Sequence, residues 1–517
     1  MPTFNLITQP WIPVREGSAL RLVGLEEALL NARRFRRIED PSPLVTAALH
    51  RLLLAILHRA LEGPQDAYEA AGWFSNGFDA KKIRDYLAKH HDRFDLFHPN
   101  EPFYQVPDFT LERSRRSWTV LAPELNSDNN KVLFDHTVTS RPRPLHPAEA
   151  ARLLVANQTF ALSAGKSVLC HTATAPVATA ALVIVLGESL HETLCLNLVG
   201  YPKSEYARDF AIWEQAPLQV ADLANCEAAK ATPKGIVHRY TWLSRAVRLN
   251  PETENGETVV RWIAYASGVR YEEAAVRPDP MVAFRPDPKD PAKLYTLAFR
   301  EGRALWRDFA SLLPRPGSEH SLGVVEHARN VYRALGARLR GRGIPVMAAG
   351  QANDKQAKAK IKLWRGEVYR LPEAILSDKD IWRFVEENLE RAEEMGRALD
   401  RAAFALAKEL LSLGGRQPSK EDVNNLVQSF PHQIAYWSAL EAQFAAWIEG
   451  LGLDFEQHQS HLEKRWQEVL EREALRAWRL TVLAVGDDAR ALRAVHKSEG
   501  VLLGHIHKQK EVTGASK

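Results

Sequence analysis

An α+β fold in two parts is what the sequence predicts: a large mixed α/β N-terminal domain over residues 1–370, followed by a C-terminal four-helix bundle over residues 371–517. Three observations lead there. At 517 residues the chain exceeds what one ordinary hydrophobic core holds, so two or three domains are expected. Up to about residue 370, short alternating runs, amphipathic stretches and proline-rich turns are mixed. Beyond about residue 375, proline and glycine thin out and a helical period persists.

In chain order, Phe4 to Val14 alternates apolar residues as a strand does, and Pro10 and Pro13 keep its Pro-Trp-Ile-Pro corner out of helix. Leu44 to Leu61 reads as an amphipathic helix with Leu52, Leu53, Ile56 and Leu57 on one face; Phe78 to Phe94 reads as another, rich in Lys and Arg. Phe97 to Pro147 has no sustained period and is largely loop, which in a compact domain points to function or disorder. Pro278 to Pro291 is a turn-rich connector. Four helices follow, Asp378–Leu413, Lys420–Gly450, Phe455–Val485 and Asp487–Lys508, with Gly414-Gly415, Gly450-Leu-Gly452 and Gly486 as stops. Joined by short turns, they make an up-and-down bundle. Its expected core is Phe384, Leu389, Phe404, Leu411, Phe430, Ile434, Trp437, Phe444, Trp447, Trp466, Leu470, Leu475, Trp478 and Val482.

Composition narrows the function. A formal net charge of +4 is too small to imply nucleic acid by itself, so a nucleic-acid site must be built from local patches. Cys170, Cys195 and Cys226 form no Cys-x-x-Cys, which suits a reducing cytoplasm and argues against a disulfide framework and a zinc ribbon. No signal pattern opens the chain, and the run Val177 to Leu186 is short of the roughly 20 residues of a membrane span. A cytoplasmic protein without membrane contact is expected.

Several segments invite a chemical reading. Gly165-Lys166-Ser167 is how a phosphate loop ends, but the glycine required five residues before Gly165 is Phe160, and no acidic strand follows persuasively. A nucleotide-binding enzyme is the alternative this segment carries; a plain turn is the ordinary one. Lys355, Lys358, Lys360, Lys362 and Arg365 face one local acid, Asp354, as a basic patch or a solvated strand edge would. Arg270 after Gly268-Val269 could contact base edges or pair with Glu272 or Glu273. Arg113, Arg115, Arg116, Arg141 and Arg143 flank the loop Leu121 to His136, where Phe134 and His136 could stack on bases and Lys131 meet phosphate. The pairs His458/His461 and His505/His507 lack a third ligand, and no nucleophile–base order stands out, so neither metal nor catalytic residues are expected.

Three segments lie in order along the first 313 residues: Phe4-Asn-Leu-Ile-Thr-Gln-Pro-Trp-Ile-Pro-Val14, Tyr240-Thr-Trp-Leu-Ser-Arg-Ala-Val-Arg-Leu-Asn-Pro-Glu252 and Leu305-Trp-Arg-Asp-Phe-Ala-Ser-Leu-Leu313. All three resemble the CasA family, the large subunit of the type I-E CRISPR surveillance complex Cascade. The resemblance implies a subunit without catalytic activity or cofactor that binds target double-stranded DNA. It implies sensing of the flanking PAM from the minor groove and initiation of unwinding, so that the guide RNA can pair. It assigns Ser163, Gly165 and Lys166 to a minor-groove loop, with one glycine and a lysine where relatives carry a run of glycines. It assigns Arg270 to PAM bases, Gln356 to a strand-separating wedge with Lys355, Lys358 and Lys360 beside it, and Gln351 or Asn353 as alternatives for the wedge. Asn130, Lys131, Phe134 and His136 fall in a loop implied to reach the guide handle or a neighbouring subunit. Implied partners are the guide RNA, the backbone, handle-binding and small subunits of Cascade, and a separate helicase–nuclease. Some relatives carry paired cysteines in the first domain; this chain lacks them, so no zinc is expected. A helical-bundle adaptor without DNA contact fits the C-terminal half equally.

Overall fold

The computed structural model describes the chain except residue 1 and residues 123–139, 164–166, 171–173, 228, 273–277, 288–289, 291–292, 314–321, 337–342, 355–360, 373–375, 377–378, 413–416, 452–454 and 515–517. It bears out the mixed fold and the helical C-terminal part. The chain forms two compact units: one takes most of residues 1–371, the other the residues after 371 together with Trp306–Ala310.

In the first unit, β1 (Ile12–Glu16) lies between β2 (Ala19–Val23) and β3 (Arg37–Ile38). Helices α1 (Leu25–Leu30), α2 (Pro43–Leu61), α3 (Ala67–Asn76) and α4 (Ala80–Lys89) follow. The first strand begins at Ile12 rather than Phe4, because Thr8 and Gln9 donate backbone N–H groups back to the Asn5 carbonyl and close a turn. Ser42 caps α2, its hydroxyl accepting from the Val45 N–H, and Pro43 fits the first helical position. The expected amphipathic face of α2 gives way to burial on nearly every side. It is long and apolar enough to cross a membrane, yet 94% of that stretch is inside the protein: it is the unit's central core helix.

Against α2 pack α5 (Pro147–Phe160), α6 (Leu190–Asn197) and α9 (Ile236–Tyr240), and Tyr206 of the short α7 (Lys203–Tyr206) bonds to Arg59; α8 (Val220–Ala224) and α10 (Gly323–Ala334), which lies on α3 and α6, belong to the same unit. Two three-stranded antiparallel sheets frame the site. One orders β4 (Arg115–Ser117), β8 (Glu257–Ser267) and β7 (Arg245–Glu254). Its long hairpin turns at Asn255 and Gly256, both at positive φ, the conformation that favours this residue pair in two-residue hairpin loops. The other orders β13 (Ile361–Leu371), β12 (Ile344–Asn353) and β5 (Leu182–Val185). Two small sheets are also present among the described residues: β6 (Lys230–Ala231) parallel to β9 (Arg270–Tyr271), and β10 (Phe284–Pro286) with β11 (Leu294–Thr296).

The second unit holds α11 (Lys379–Leu411), α12 (Lys420–Ser429), α13 (His432–Glu449), α14 (Phe455–Val485) and α15 (Ala489–Gly514). The segment read as one helix from Lys420 to Gly450 breaks at Pro431, which has no N–H to donate and crowds the preceding turn. Trp306 stacks on Phe444 at 4.8 Å, and Trp447 lies between Phe384 and Trp466. Two expected core residues are exposed, Phe404 at 37% and Ile434 at 77%. On α13 the buried stripe is Tyr436, Leu440, Phe444 and Trp447, and Ile434, two residues before Tyr436, falls about 200° around the helix from it. On α11 the small residues Ala398, Ala402 and Ala403 pack inward with Leu399 and Leu406, leaving Phe404 off that stripe.

One expectation about cysteines is corrected. Cys170 and Cys226 form a disulfide with Cα atoms 5.2 Å apart, tying the segment after Ser167 to the turn between α8 and β6; Cys195 is free and buried. Widely separated in sequence, the pair gave no spacing signal.

Candidate nucleic-acid interface

The last turn of α5 is the hub from which two of the candidate loops leave. Asn157 is buried, and its amide donates to the carbonyls of Val120 and Leu121 at 3.1 and 3.2 Å, just before the 123–139 segment. At the other end of that segment the Trp118 indole N–H donates to the Arg143 carbonyl at 2.8 Å, with the Arg143 guanidinium over its ring. Gln158, also buried, donates to the carbonyls of Tyr104 and Arg245 and accepts the Arg245 N–H. Arg245 is only 2% exposed; its guanidinium donates to the Leu162 carbonyl at 2.8 Å and to the Tyr265 hydroxyl at 3.0 Å. The chain therefore enters the Ser163–Ser167 loop under constraint from β7 and β8.

Further along, the Ser167 hydroxyl accepts the Ser267 N–H at 3.2 Å, at the end of β8. One residue on, Gly268 lies so close to the backbone that a Cβ there would sit 2.4 Å from the Leu243 carbonyl oxygen. This forced approach leads directly into β9, where the Arg270 N–H donates to the Ala229 carbonyl at 2.7 Å. Arg270 is exposed and makes no ion pair with Glu272; Glu273, the other acid it could pair with, lies outside the described residues.

The hairpin β12–β13 is fastened to the same place. Gln351 is fully buried, and its amide donates to the Phe160 carbonyl at 2.6 Å and the Ala178 carbonyl at 2.8 Å, on either side of the Ser163–Ser167 loop. A backbone bond from the Ala175 N–H to the Ala161 carbonyl at 2.8 Å closes the base of that loop. Gln351 is thus a structural clamp, and its burial removes it as a wedge candidate. Asn353 is half-buried at the end of β12. Lys362 reaches Asp354 at 3.3 Å and Glu301 at 3.9 Å, so the local acid has a partner and the lysine is partly neutralised.

Beneath these elements lies a buried ion pair. Arg51 on α2 meets Asp279 at 2.8 Å with the Tyr240 ring 4.2 Å below the guanidinium. Burial alone would raise the Asp279 carboxyl; the Arg51 charge and its hydrogen bond, with the Arg239 charge and the Met281 N–H, together outweigh it and hold the group below the ordinary carboxylate value.

Ser163 is half-buried; Gly165, Lys166, Lys355, Gln356, Lys358, Lys360, Asn130, Lys131, Phe134 and His136 lie outside the described residues. The structure brings together the bases of their loops, and Arg270 with them. The nucleotide alternative fails on topology. A phosphate loop joins a strand to a following helix, whereas here helix α5 precedes the loop and, among the described residues, the next regular element is strand β5. Among the described residues no group of three His, Cys, Asp or Glu side chains could hold a metal. Sequence reading gave no anchoring role to Asn157, Gln158 or Arg245 and put Gln351 on the DNA side instead; buried amides and guanidinium at element ends carry no periodicity to find them by.

The CRISPR-associated protein Cse1 family model matches residues 5–477. The CasA/Cse1 protein of Thermus thermophilus is 40% identical over 97% of this chain and 98% of its own length. This chain belongs to the Cse1 (CasA) family. The crystal structure of Thermus thermophilus CasA superposes with a TM-score of 0.83 at 37% identity, covering 98% of this chain and 100% of that one. Thermobifida fusca Cse1 shares the fold at a TM-score of 0.78 and 24% identity, over 99% of this chain and 98% of its own. A chain of a CRISPR RNA-guided surveillance complex shares it at 0.76 and 22%, over 97% of this chain and 100% of that chain. Within the Cse1 frame the three motif segments are scaffold. Trp11 and Trp306 fill cores, and the Tyr240–Glu252 segment supplies Arg245 and the ring beneath Arg51.

Proposed function

We propose that this Cse1-family chain is the large subunit of a type I-E Cascade, bound to guide RNA and the other subunits, and that it makes and breaks no bond itself. It senses the PAM in target duplex DNA and starts strand opening, after which guide–target pairing reads the sequence. In this reading Ser163, Gly165 and Lys166 lie against the minor groove and Arg270 meets base edges. Gln356 enters beside the PAM as a wedge while Lys355, Lys358 and Lys360 hold phosphates. Asn130, Lys131, Phe134 and His136 face the guide handle or a neighbouring subunit. The bundle carries the small subunits, and the assembled particle recruits the helicase–nuclease.

The observation that supports this most is the common anchorage of the three DNA-facing features: Gln351 to Phe160 and Ala178, Arg245 to Leu162, and Ser167 to Ser267. Unstacking a base step costs a few kcal/mol, and a wedge delivers that only from a base that does not yield. Buried side-chain-to-backbone bonds make such a base.

The test is assembly of the complex with and without this chain, followed by binding to duplexes carrying intact or scrambled PAM. Discrimination should vanish without the chain. Gln356→Ala should reduce permanganate-detected opening more than duplex association, and Lys166→Ala should lower the salt dependence by about one phosphate's worth. Equal PAM discrimination without the chain would overturn the proposal.

A further inference from the structure

Trp364, on β13, is the single tryptophan of thirteen among the exposed large apolar side chains, at 39%. Four other tryptophans are incompletely buried, and each has a partner. Trp73 meets Phe78, Trp262 lies under Arg115, Trp437 lies under Arg307, and the Trp382 N–H donates to a carbonyl. Trp364 has no ring, cation or hydrogen-bond partner among the described residues. An indole open in this way offers its ring face to a flat partner.

Its position indicates what that is. In the β12–β13 register Trp364 stands opposite Gln351, so both side chains leave the same face of the sheet. That face is the one on which Gln351 grips the base of the Ser163–Ser167 loop. Two residues toward the hairpin tip, about 7 Å along the strand, Lys362 shares the face. Two residues the other way is Gly366, where a Cβ would sit 2.8 Å from the Pro43 Cβ, so the first turn of α2 bounds that end. The indole is therefore presented between the hairpin tip and the loop base, with a cation on its tip side.

We infer that Trp364 is a stacking platform for an unpaired base of the DNA at the point where the duplex opens; the inference rests on the strand-opening role proposed above. Every nucleobase offers a flat face to an aromatic ring, so such a platform captures either strand without reading sequence. A base held there cannot re-pair, which adds a trap to the wedge.

The experiment uses the assembled complex carrying wild-type chain, Trp364→Ala or Trp364→Phe. Two targets are compared: a fully paired duplex, and the same duplex with mismatched pairs beside the PAM. Trp364→Ala should bind the pre-opened target about tenfold more weakly than wild type, within the range that base–aromatic stacking supplies. Trp364→Phe should recover most of that loss. 2-Aminopurine beside the PAM should be quenched by wild type and less so by Trp364→Ala. Binding of the pre-opened target by Trp364→Ala within twofold of wild type overturns the inference. So does failure of that variant to assemble, which would make the indole a subunit contact. If wild type discriminates PAM while Trp364→Ala matches it, only the Trp364 assignment falls; if wild type itself gains nothing from this chain, the strand-opening reading falls with it.

Discussion

Arg51 and Asp279 are each nearly inaccessible to water, and only their pairing makes their burial tolerable. Removing one partner strands the other charge. Arg51→Met should lower the unfolding free energy of the first unit by about 3–5 kcal/mol, and Arg51→Met with Asp279→Leu should recover much of that loss. Denaturant titration of the single and double variants measures both. A single variant as stable as wild type would mean that water reaches the pair. Gln351 makes a different prediction. Gln351→Leu leaves the Phe160 and Ala178 carbonyls without their donor, at about 1–3 kcal/mol for each. Hydrogen exchange should then speed up at the Ala175 amide, which closes the loop base, and at the Ala161 amide, which ends α5 on the Asn157 carbonyl, and remain unchanged in the β7–β8 ladder. Neither residue announced itself in the sequence. Arg51 sits in an apolar helix whose pattern suggested one face, and Gln351 looked like a candidate for the DNA side because it precedes a run of lysines.

Elements were legible where a local rule decides them. The bundle helices stand close to where their period and glycine stops put them, and the break at Pro431 follows from proline chemistry. Asn255-Gly256 is a local hairpin signal that the sequence reading passed over, and the β7–β8 hairpin turns there. Which residues of a helix face inward was less legible, since Ile434 and Leu440 are equally apolar and only the neighbours choose between them. Ile434→Lys should change stability by no more than about 0.5 kcal/mol, whereas Leu440→Ala should cost about 2–5 kcal/mol. Thermal unfolding of both variants checks the contrast. Gly268→Ala tests the entry to β9: a methyl group 2.4 Å from the Leu243 carbonyl oxygen must push the strand away. The variant should fold with a shifted Arg270 and weakened PAM-duplex binding, and wild-type affinity in it would separate Arg270 from the DNA.

On the scale of the whole molecule, histidines set the acid limit. His50, His58 and His327 lie in the first unit, and burial holds each at a pKa of about 4. The unfolded chain takes up these protons near pH 6.5 while the folded chain refuses them until about pH 4. Stability therefore falls as pH drops through that window and levels off below it. Between pH 7 and 5 each histidine should remove about 2 kcal/mol, seen as a falling denaturation midpoint. A midpoint flat over that range would mean that the three rings are charged or wet.

The sequence by itself determined the two-part architecture, the helical second half, the family and the loop segments where its periodicity lapses. These follow from period, from proline and glycine, and from motif segments that read locally. Only the tertiary structure decided that Asn157, Gln158, Arg245, Ser167 and Gln351 bind the roots of those loops into one anchor. It also decided that Cys170 meets Cys226, and that one tryptophan is left open beside the anchor. The physical reason is range. A helix period or a turn is fixed within a few residues, whereas a buried amide finds its carbonyl, and an indole finds or lacks its cover, only after segments as distant as Phe160 and Gln351 have packed together.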